Sequence, residues 1–228
     1  MRRLRAALAS ALLSCAAAAA PPTAQVLSPG YGALQYEPPA AGSYRLPPLG
    51  VAADGNVLNT DGEPLTLYEL MDNKLVLLGF IYTRCSDING CPLASFVMKK
   101  VQKGLAGDPA LASQVRLIIL SFDPEMDTPA QLAEYAGHFR GEEDDWRFLT
   151  TASESQLQPI LEGYGQWRQR EYDDSGKYTG SMSHILRVFL VDRQRRIRNI
   201  YSSGFLHADT VLNDLRTLAM EPDRANLP

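Results

Sequence analysis

Two long apolar runs mark the centre of the fold. Residues 75–82 and 115–122 are almost continuously hydrophobic and have the length of strands. A continuous run of this kind is typical of a strand covered on both faces, because a strand with one wet face would alternate. We therefore predict two central, buried strands.

Helical patterns follow both runs. Apolar residues recur at helical spacing after Pro92 and predict a helix over 92–104. Thr128, Pro129 and Gln131 predict the start of another helix, because Thr caps, Pro suits the first position and Gln completes a capping box. The other predicted elements are a hairpin over 51–58 with an Asp54-Gly55 turn, a short element at 65–70, strands at 146–149, 185–191 and 197–201, helices at 153–163 and 208–218, and a loop or irregular hairpin at 165–180.

The order of these elements indicates an α/β fold. After the first hairpin the pattern is β-α-β-α-β-α and then β-β-α, which favours a largely parallel core made mixed by the last two strands. This is the order of a thioredoxin-like fold, with a central mixed sheet flanked by helices. The chain has 228 residues, enough for one domain with a sizeable core. We predict this domain over 49–220, followed by a tail at 221–228.

The first residues are typical of an export signal. Three arginines precede a short apolar run at 6–14, which is too short to span a bilayer, since that takes about 20 residues. Leu12-Leu13-Ser14-Cys15 is similar to a bacterial lipobox, so Cys15 is either lipidated or removed by cleavage within 16–20. We predict a signal peptide over 1–20, a flexible tether over 21–48, and a periplasmic, membrane-anchored lipoprotein.

Composition and charge narrow the function. Hydrophobic residues make up 45% and charged residues 21%, as in globular proteins. The net charge is −4, and about −7 without the arginines of the signal segment, which argues against nucleic-acid binding. Export places the cysteines in an oxidising compartment, where two nearby thiols can form a disulfide.

The candidate chemistry lies between the first central strand and the helix after it. Cys85 and Cys91 are separated by five residues, and Pro92 places Cys91 at the helix N-terminus. The helix dipole there favours a thiolate, the form that binds metal and attacks disulfides. Asn89-Gly90 is expected to form a tight turn with positive φ that brings Cys91 back towards Cys85.

His184, predicted at the head of the strand over 185–191, could complete a metal site. Two thiolates and one imidazole suit copper, whereas structural zinc takes four ligands. Three interpretations of the cysteine pair stay open: copper binding, dithiol exchange without metal, and a structural disulfide. His184 is accordingly either a ligand or a hydrogen-bonded histidine.

Four further residues have competing interpretations. Asp123 either tunes the site from behind the ligands or makes a turn before Pro124. Met182 is either an extra soft ligand or a gap filler. His138 is expected to cap a helix end, and His207 to be a surface residue.

The combined motifs resemble the Sco/SenC family of copper-binding assembly proteins. The resemblance covers about residues 49–218, although the family usually has three residues between its cysteines rather than five. The matching residues are 79–85, Cys91-Pro92, 121–129 and His184.

The resemblance implies a thioredoxin-like domain that binds one copper ion through Cys85, Cys91 and His184, with Cys85 and Cys91 also the redox pair. It implies a chaperone, not clearly an enzyme, that delivers copper to a respiratory copper site or reduces its cysteines. The implied client is the dinuclear copper centre of cytochrome c oxidase or another exported copper protein. The alternative is an exported thiol-disulfide oxidoreductase or thiol peroxidase that uses Cys85 and Cys91 without metal.

Overall fold

The computed structural model describes residues 31–139, 141 and 145–221. Strands and helices alternate along most of this part of the chain. The strands are β1 (Gly50–Val51), β2 (Asn56–Leu58), β3 (Pro64–Thr66), β4 (Leu75–Ile81), β5 (Val115–Ser121), β6 (Trp146–Leu149), β7 (Arg168–Tyr172), β8 (Tyr178–His184), β9 (Val188–Val191) and β10 (Arg196–Tyr201). The helices are α1 (Leu67–Met71), α2 (Cys91–Ala106), α3 (Pro109–Ala112), α4 (Pro129–Gly137), α5 (Glu154–Gly163) and α6 (Ala208–Ala219).

A six-stranded mixed sheet forms the centre of the domain, in the order β1-β10-β9-β4-β5-β6. The strands β4, β5 and β6 are parallel, and β9, β10 and β1 add antiparallel pairs. Helices α2 and α6 pack against each other and against β4, while α4 packs against β6. The predicted mixed sheet flanked by helices is confirmed.

The two central strands are β4 and β5. Every residue of β4 is buried, because the strand lies between β5 and β9 and is covered on both faces. The parallel register pairs Leu75 with Val115 and Ile81 with Ser121, so the two strands end at the same edge of the sheet. The loops that follow both strands therefore meet at this edge.

The predicted hairpin over 51–58 is wrong. Strand β1 pairs with β10, and β2 pairs with β3. The Asp54 carboxylate accepts a hydrogen bond from the Tyr68 backbone at 2.9 Å, and Gly55 is not among the residues with positive φ, so no type I′ turn forms. The turn between β2 and β3 instead uses Gly62, whose φ is +80°.

The β7–β8 pair is the irregular hairpin predicted over 165–180, with a register shift between Arg170 and Tyr172. His184 is the last residue of β8, opposite Arg168 in β7, and β9 begins only at Val188. The predicted strand over 185–191 is therefore too long at its start. His184 belongs to the hairpin rather than to the central sheet.

Residues 31–48, which we call the N-terminal segment, lie against the domain, although the sequence predicted them as part of a flexible tether. The Tyr44 hydroxyl donates to the Asp214 carboxylate of α6 at 2.5 Å. The Arg198 guanidinium donates to the Leu46 carbonyl at 2.6 Å. These bonds tie the segment to α6 and β10.

The predicted signal peptide and Cys15 lie outside the described residues, as do positions 21–30 of the predicted tether. Among the helices of the described ranges, none has the length and apolar character needed to cross a membrane.

Candidate metal centre

The structure brings Cys85, Cys91 and His184 together at the edge where β4 and β5 end. Their sulfur and nitrogen atoms all lie within 4.8 Å of one another. Nε2 of His184 lies 3.5 Å from Sγ of Cys91 and 4.0 Å from Sγ of Cys85. Both cysteines are free thiols. This cluster of two sulfurs and one nitrogen has the composition and spacing of a metal site.

The loop between the cysteines is shaped by Asp87. Its carboxylate accepts from the Asn89 backbone at 3.0 Å, and its carbonyl accepts from the Gly90 backbone at 2.9 Å. The expected positive-φ turn at Asn89-Gly90 is wrong, because neither residue has positive φ. The turn forms through the aspartate side chain instead, and it delivers Cys91 to the first position of α2.

Contacts to the other ring atoms orient the imidazole of His184. Its Nδ1–H donates to the Met182 carbonyl at 3.1 Å, which turns Nε2 towards the thiols. The ring packs edge-on against Tyr82, with centroids 5.6 Å apart, and lies tilted against Phe122, with centroids 5.2 Å apart. The Met182 backbone in turn donates to the Tyr82 hydroxyl at 3.3 Å. The protein thus holds the imidazole in this orientation before a metal ion binds.

The pKa values of the two thiols are shifted in opposite directions. A hydrogen bond from Cys91 is the main cause that lowers the pKa of Cys85 to about 4, against the effect of burial and with further help from His184. Burial raises the pKa of Cys91 well above its usual value, since only 1% of this residue is exposed. The expectation that the helix N-terminus makes Cys91 the thiolate is therefore wrong, because desolvation outweighs the helix dipole.

His184 titrates with the same cluster. Burial acts to lower its pKa, but hydrogen bonds to Cys85 and to the Met182 carbonyl, together with the negative charges of Cys85 and Asp87, raise the pKa above its usual value. The metal-free cluster therefore favours a Cys85 thiolate beside a protonated or proton-sharing imidazole.

Selective alkylation tests this charge distribution. At pH 6 we expect iodoacetamide to modify Cys85 at least about ten-fold faster than Cys91, because Cys85 is a half-buried thiolate and Cys91 a buried thiol. Labelling of Cys85 should rise as the pH increases through about 4. Peptide mapping by mass spectrometry measures both rates, and equal rates in the folded protein would contradict the assignment.

Two buried aspartates accept hydrogen bonds from the residues just before Cys85. The Asp127 carboxylate accepts from the Thr83 backbone at 3.0 Å and from the hydroxyls of Thr83 and Ser121. The Arg84 guanidinium donates to Asp123 at 3.2 Å. These bonds fix the two residues that precede Cys85.

Asp123 also links the cysteine loop to the hairpin that carries His184. An Arg170 nitrogen in β7 lies 3.9 Å from its second carboxylate oxygen, while Arg84 binds the first. Burial raises the pKa of Asp123, and Arg84 opposes this. Of the two interpretations offered by the sequence, turn-making is confirmed, because the Asp123 carbonyl accepts the turn hydrogen bonds from Met126 and Asp127. Tuning of the site by the Asp123 carboxylate, which binds Arg84 just before Cys85, stays a prediction.

The side chains of the remaining candidates make other contacts. The Met182 sulfur accepts from Arg168 at 3.9 Å, so Met182 contributes its backbone rather than its thioether. His138 contacts the Glu134 carbonyl at the end of α4, as a capping residue does. His207 is more than a surface residue: it caps α6 and stacks on Tyr31, with centroids 4.7 Å apart.

The comparison with known families decides where this chain belongs. The model of the SCO1/SenC family matches residues 51–220. The chain is a member of the SCO1/SenC family. It is 36% identical over 100 residues to a SCO1 protein homolog of Bacillus subtilis, an alignment that covers 44% of the chain and 49% of the relative. The chain spans 49% to 64% of the length of the curated relatives that it matches.

Solved structures share the fold of this SCO1/SenC protein. ScoI of Arabidopsis thaliana, solved with copper bound, has a TM-score of 0.63 at 19% identity and covers 74% of this chain and 98% of its own. BsSco, described as a member of the Sco family of cytochrome c oxidase assembly proteins with a disulfide switch, has a TM-score of 0.59 at 26% identity and covers 77% and 97%. The predicted thioredoxin-like fold is confirmed.

Sequence reasoning missed part of the supporting structure of this SCO1/SenC protein. Arg84 and Asp127 stand inside the matching motifs, but nothing local to them predicts their contacts. Arg170 lies in a polar stretch without a motif, so no signal in the sequence indicates that it faces Asp123. The length of the loop at 86–90 is evident from the cysteine spacing, but no signal in the sequence predicts the hydrogen bonds of Asp87.

Proposed function

We propose that this chain binds one copper ion through Cys85, Cys91 and His184 and acts as a copper chaperone with thiol-redox capacity. One observation carries the proposal: the two sulfurs and Nε2 converge within 4.8 Å, with the imidazole oriented by a hydrogen bond on its opposite nitrogen. An arrangement of this kind is expected of a metal site, because a structural disulfide would not require the histidine.

The chemistry of the donor atoms favours copper. Soft thiolates together with one imidazole suit Cu(I), whereas a structural zinc site is usually closed by four protein ligands. A bound copper ion can be exchanged between thiolate sites. The residues of this chain hold it, with Cys91 buried and Cys85 half-exposed. Cys85 is therefore the ligand that a client sulfur can reach first.

The client is proposed by analogy with the relatives. BsSco belongs to a family of cytochrome c oxidase assembly proteins, and Arabidopsis ScoI was solved with copper. We extend this to delivery of copper to, or reduction of the cysteines of, a respiratory site such as the dinuclear copper centre. Export to the periplasm with anchoring through Cys15 is part of the same proposal.

Titration of the reduced full-length chain with Cu(I), in competition with a chelator of known affinity, tests the proposal. Replacing Cys15 with serine removes the third thiol, so any sulfur binding then depends on Cys85 and Cys91. We expect a stoichiometry of one ion per chain that is lost in Cys91→Ser. Absence of binding at micromolar Cu(I), or the same binding in Cys91→Ser, would contradict the proposal.

A second candidate function, thiol-disulfide reduction without metal, is favoured by the pairing of a half-exposed Cys85 thiolate with a buried Cys91 thiol. Cys85 would attack a client disulfide and Cys91 would then displace the second client sulfur, leaving a Cys85–Cys91 disulfide and two client thiols. Insulin reduction by the metal-free chain distinguishes the two functions. Fast turnover that needs both cysteines but not His184 would support the reductase.

A further inference from the structure

The loop at 86–90, between the two cysteines, leaves a gap between the carboxylate of Asp87 and the imidazole of His184. A Cβ atom placed on Gly90 would lie 3.1 Å from Oδ2 of Asp87 and 3.1 Å from Nε2 of His184. Both atoms therefore border the space that a methyl group would fill, and they are separated by no more than twice that distance. Glycine at position 90 keeps this space open on the side of the metal cluster.

The two oxygens of Asp87 have different surroundings. Oδ1 accepts the Asn89 backbone hydrogen bond at 3.0 Å, which fixes the carboxylate to the loop turn. For Oδ2, the described part of the chain provides no hydrogen-bond donor, although the atom is turned towards Gly90 and His184. The side chain is exposed, and Oδ2 lies beside the space that borders Nε2 of His184.

We propose that Asp87 is a further oxygen ligand of the bound ion and that it acts on Cu(II) rather than on Cu(I). This inference rests on the proposed copper-binding function. Cu(I) is a soft ion that is satisfied by two sulfurs and one nitrogen, whereas Cu(II) prefers four positions and accepts nitrogen and oxygen donors. An anionic carboxylate beside Nε2 therefore adds more to the affinity for the oxidised ion.

In this proposal the five-residue spacer does more than connect the two cysteines. The turn from Asp87 to Gly90 folds the five-residue spacer back on itself and places the Asp87 side chain on the His184 side. Residues between the cysteines thus contribute a donor as well as a connection. The selectivity between the two oxidation states would then depend on this residue, while Cys85, Cys91 and His184 are common to both.

The test compares wild-type chain, Asp87→Asn and Asp87→Ala in the Cys15→Ser background. Asparagine keeps an oxygen for the Asn89 hydrogen bond and removes only the charge. Asp173→Asn is the matched control, because Asp173 makes a similar turn in the β7–β8 hairpin by accepting from Ser175 and Lys177. Competition titrations give the Kd for each ion, and electron paramagnetic resonance of the Cu(II) form reports the ligand set directly.

We expect the Kd for Cu(II) to rise at least about ten-fold in Asp87→Ala and to rise also in Asp87→Asn. The Cu(II) spectrum should be altered in both variants. The Kd for Cu(I) should be unchanged, and Asp173→Asn should match the wild type for both ions. A wild-type Cu(II) spectrum and affinity in both Asp87 variants would overturn the inference. Equal weakening for Cu(I) and Cu(II) would also overturn it, because Asp87 would then only shape the loop.

These results are separable from failure of the proposed function. If the wild-type chain binds neither ion, the copper proposal itself is wrong. If the wild type binds copper and the Asp87 variants behave identically to it, only the role of Asp87 is wrong.

Discussion

Replacing His184 with alanine is expected to weaken Cu(I) binding by more than about 100-fold, because loss of a direct ligand should exceed the 10- to 100-fold effect typical of residues behind the ligands. Nε2 is the nitrogen that faces both sulfurs, at 3.5 Å and 4.0 Å. Removing the ring also deletes its packing against Tyr82 and Phe122. Competition titration measures the change in Kd.

The matched control is His138→Ala. His138 lies at the end of α4 and contacts the Glu134 carbonyl, away from the metal cluster. The His138→Ala substitution should leave the Kd for Cu(I) unchanged. Circular dichroism of both variants checks that they fold. A His184→Ala chain that folds and binds Cu(I) as tightly as the wild type would mean that the imidazole is not a ligand.

Replacing Asp127 with alanine is expected to lower the free energy of unfolding by about 3 kcal/mol, since three hydrogen bonds to a buried carboxylate are lost at once. The Thr83 backbone and the Ser121 hydroxyl would lose their acceptor at the edge where β4 and β5 end. For a domain of this size the melting temperature should fall by about 6–12 °C. Urea unfolding and thermal melts of the metal-free chain measure the loss.

Asp61→Ala is the control for this variant. Asp61 is exposed in the turn between β2 and β3, where its own backbone rather than its carboxylate bonds to Asn59. Its substitution should change the free energy of unfolding by less than about 0.5 kcal/mol. A loss below about 1 kcal/mol in Asp127→Ala would show that the carboxylate is not a central support of the loop.

The central strands could be predicted from sequence because their signal is local. Residues 75–81 are apolar throughout, since β4 is covered on both faces and has no side exposed to water. Capping residues gave the start of α4, where Thr128 accepts from the Gln131 backbone. The Asp54-Gly55 pair gave a wrong prediction for the opposite reason. Its turn signal is local, but the Asp54 carboxylate accepts a hydrogen bond from the backbone of Tyr68, 14 residues away.

The site was predictable in composition but not in detail. Two cysteines before a helix and a distant histidine indicate a soft-metal or redox site whatever the geometry. Which cysteine ionises depends on burial and on the contact between the two thiols, and only the packed structure buries Cys91 and leaves Cys85 half-exposed. The link from Arg84 through Asp123 to Arg170 joins three separate stretches of chain, so no spacing rule could find it.

The N-terminal segment is a similar case. Its Ala, Pro and Gly content and lack of periodicity predict a tether. Two tyrosines nevertheless bind it to α6, with Tyr44 on Asp214 and Tyr31 stacked on His207. A few anchoring side chains suffice to order a segment that has no regular structure of its own.

X-ray absorption at the copper edge of the Cu(I)-loaded Cys15→Ser chain tests the central claim most directly. We predict two sulfur scatterers and one imidazole nitrogen around a single ion, with the imidazole contribution absent from His184→Ala. A coordination shell without imidazole nitrogen in the wild-type chain, or one with fewer than two sulfurs, would contradict a copper site built from Cys85, Cys91 and His184.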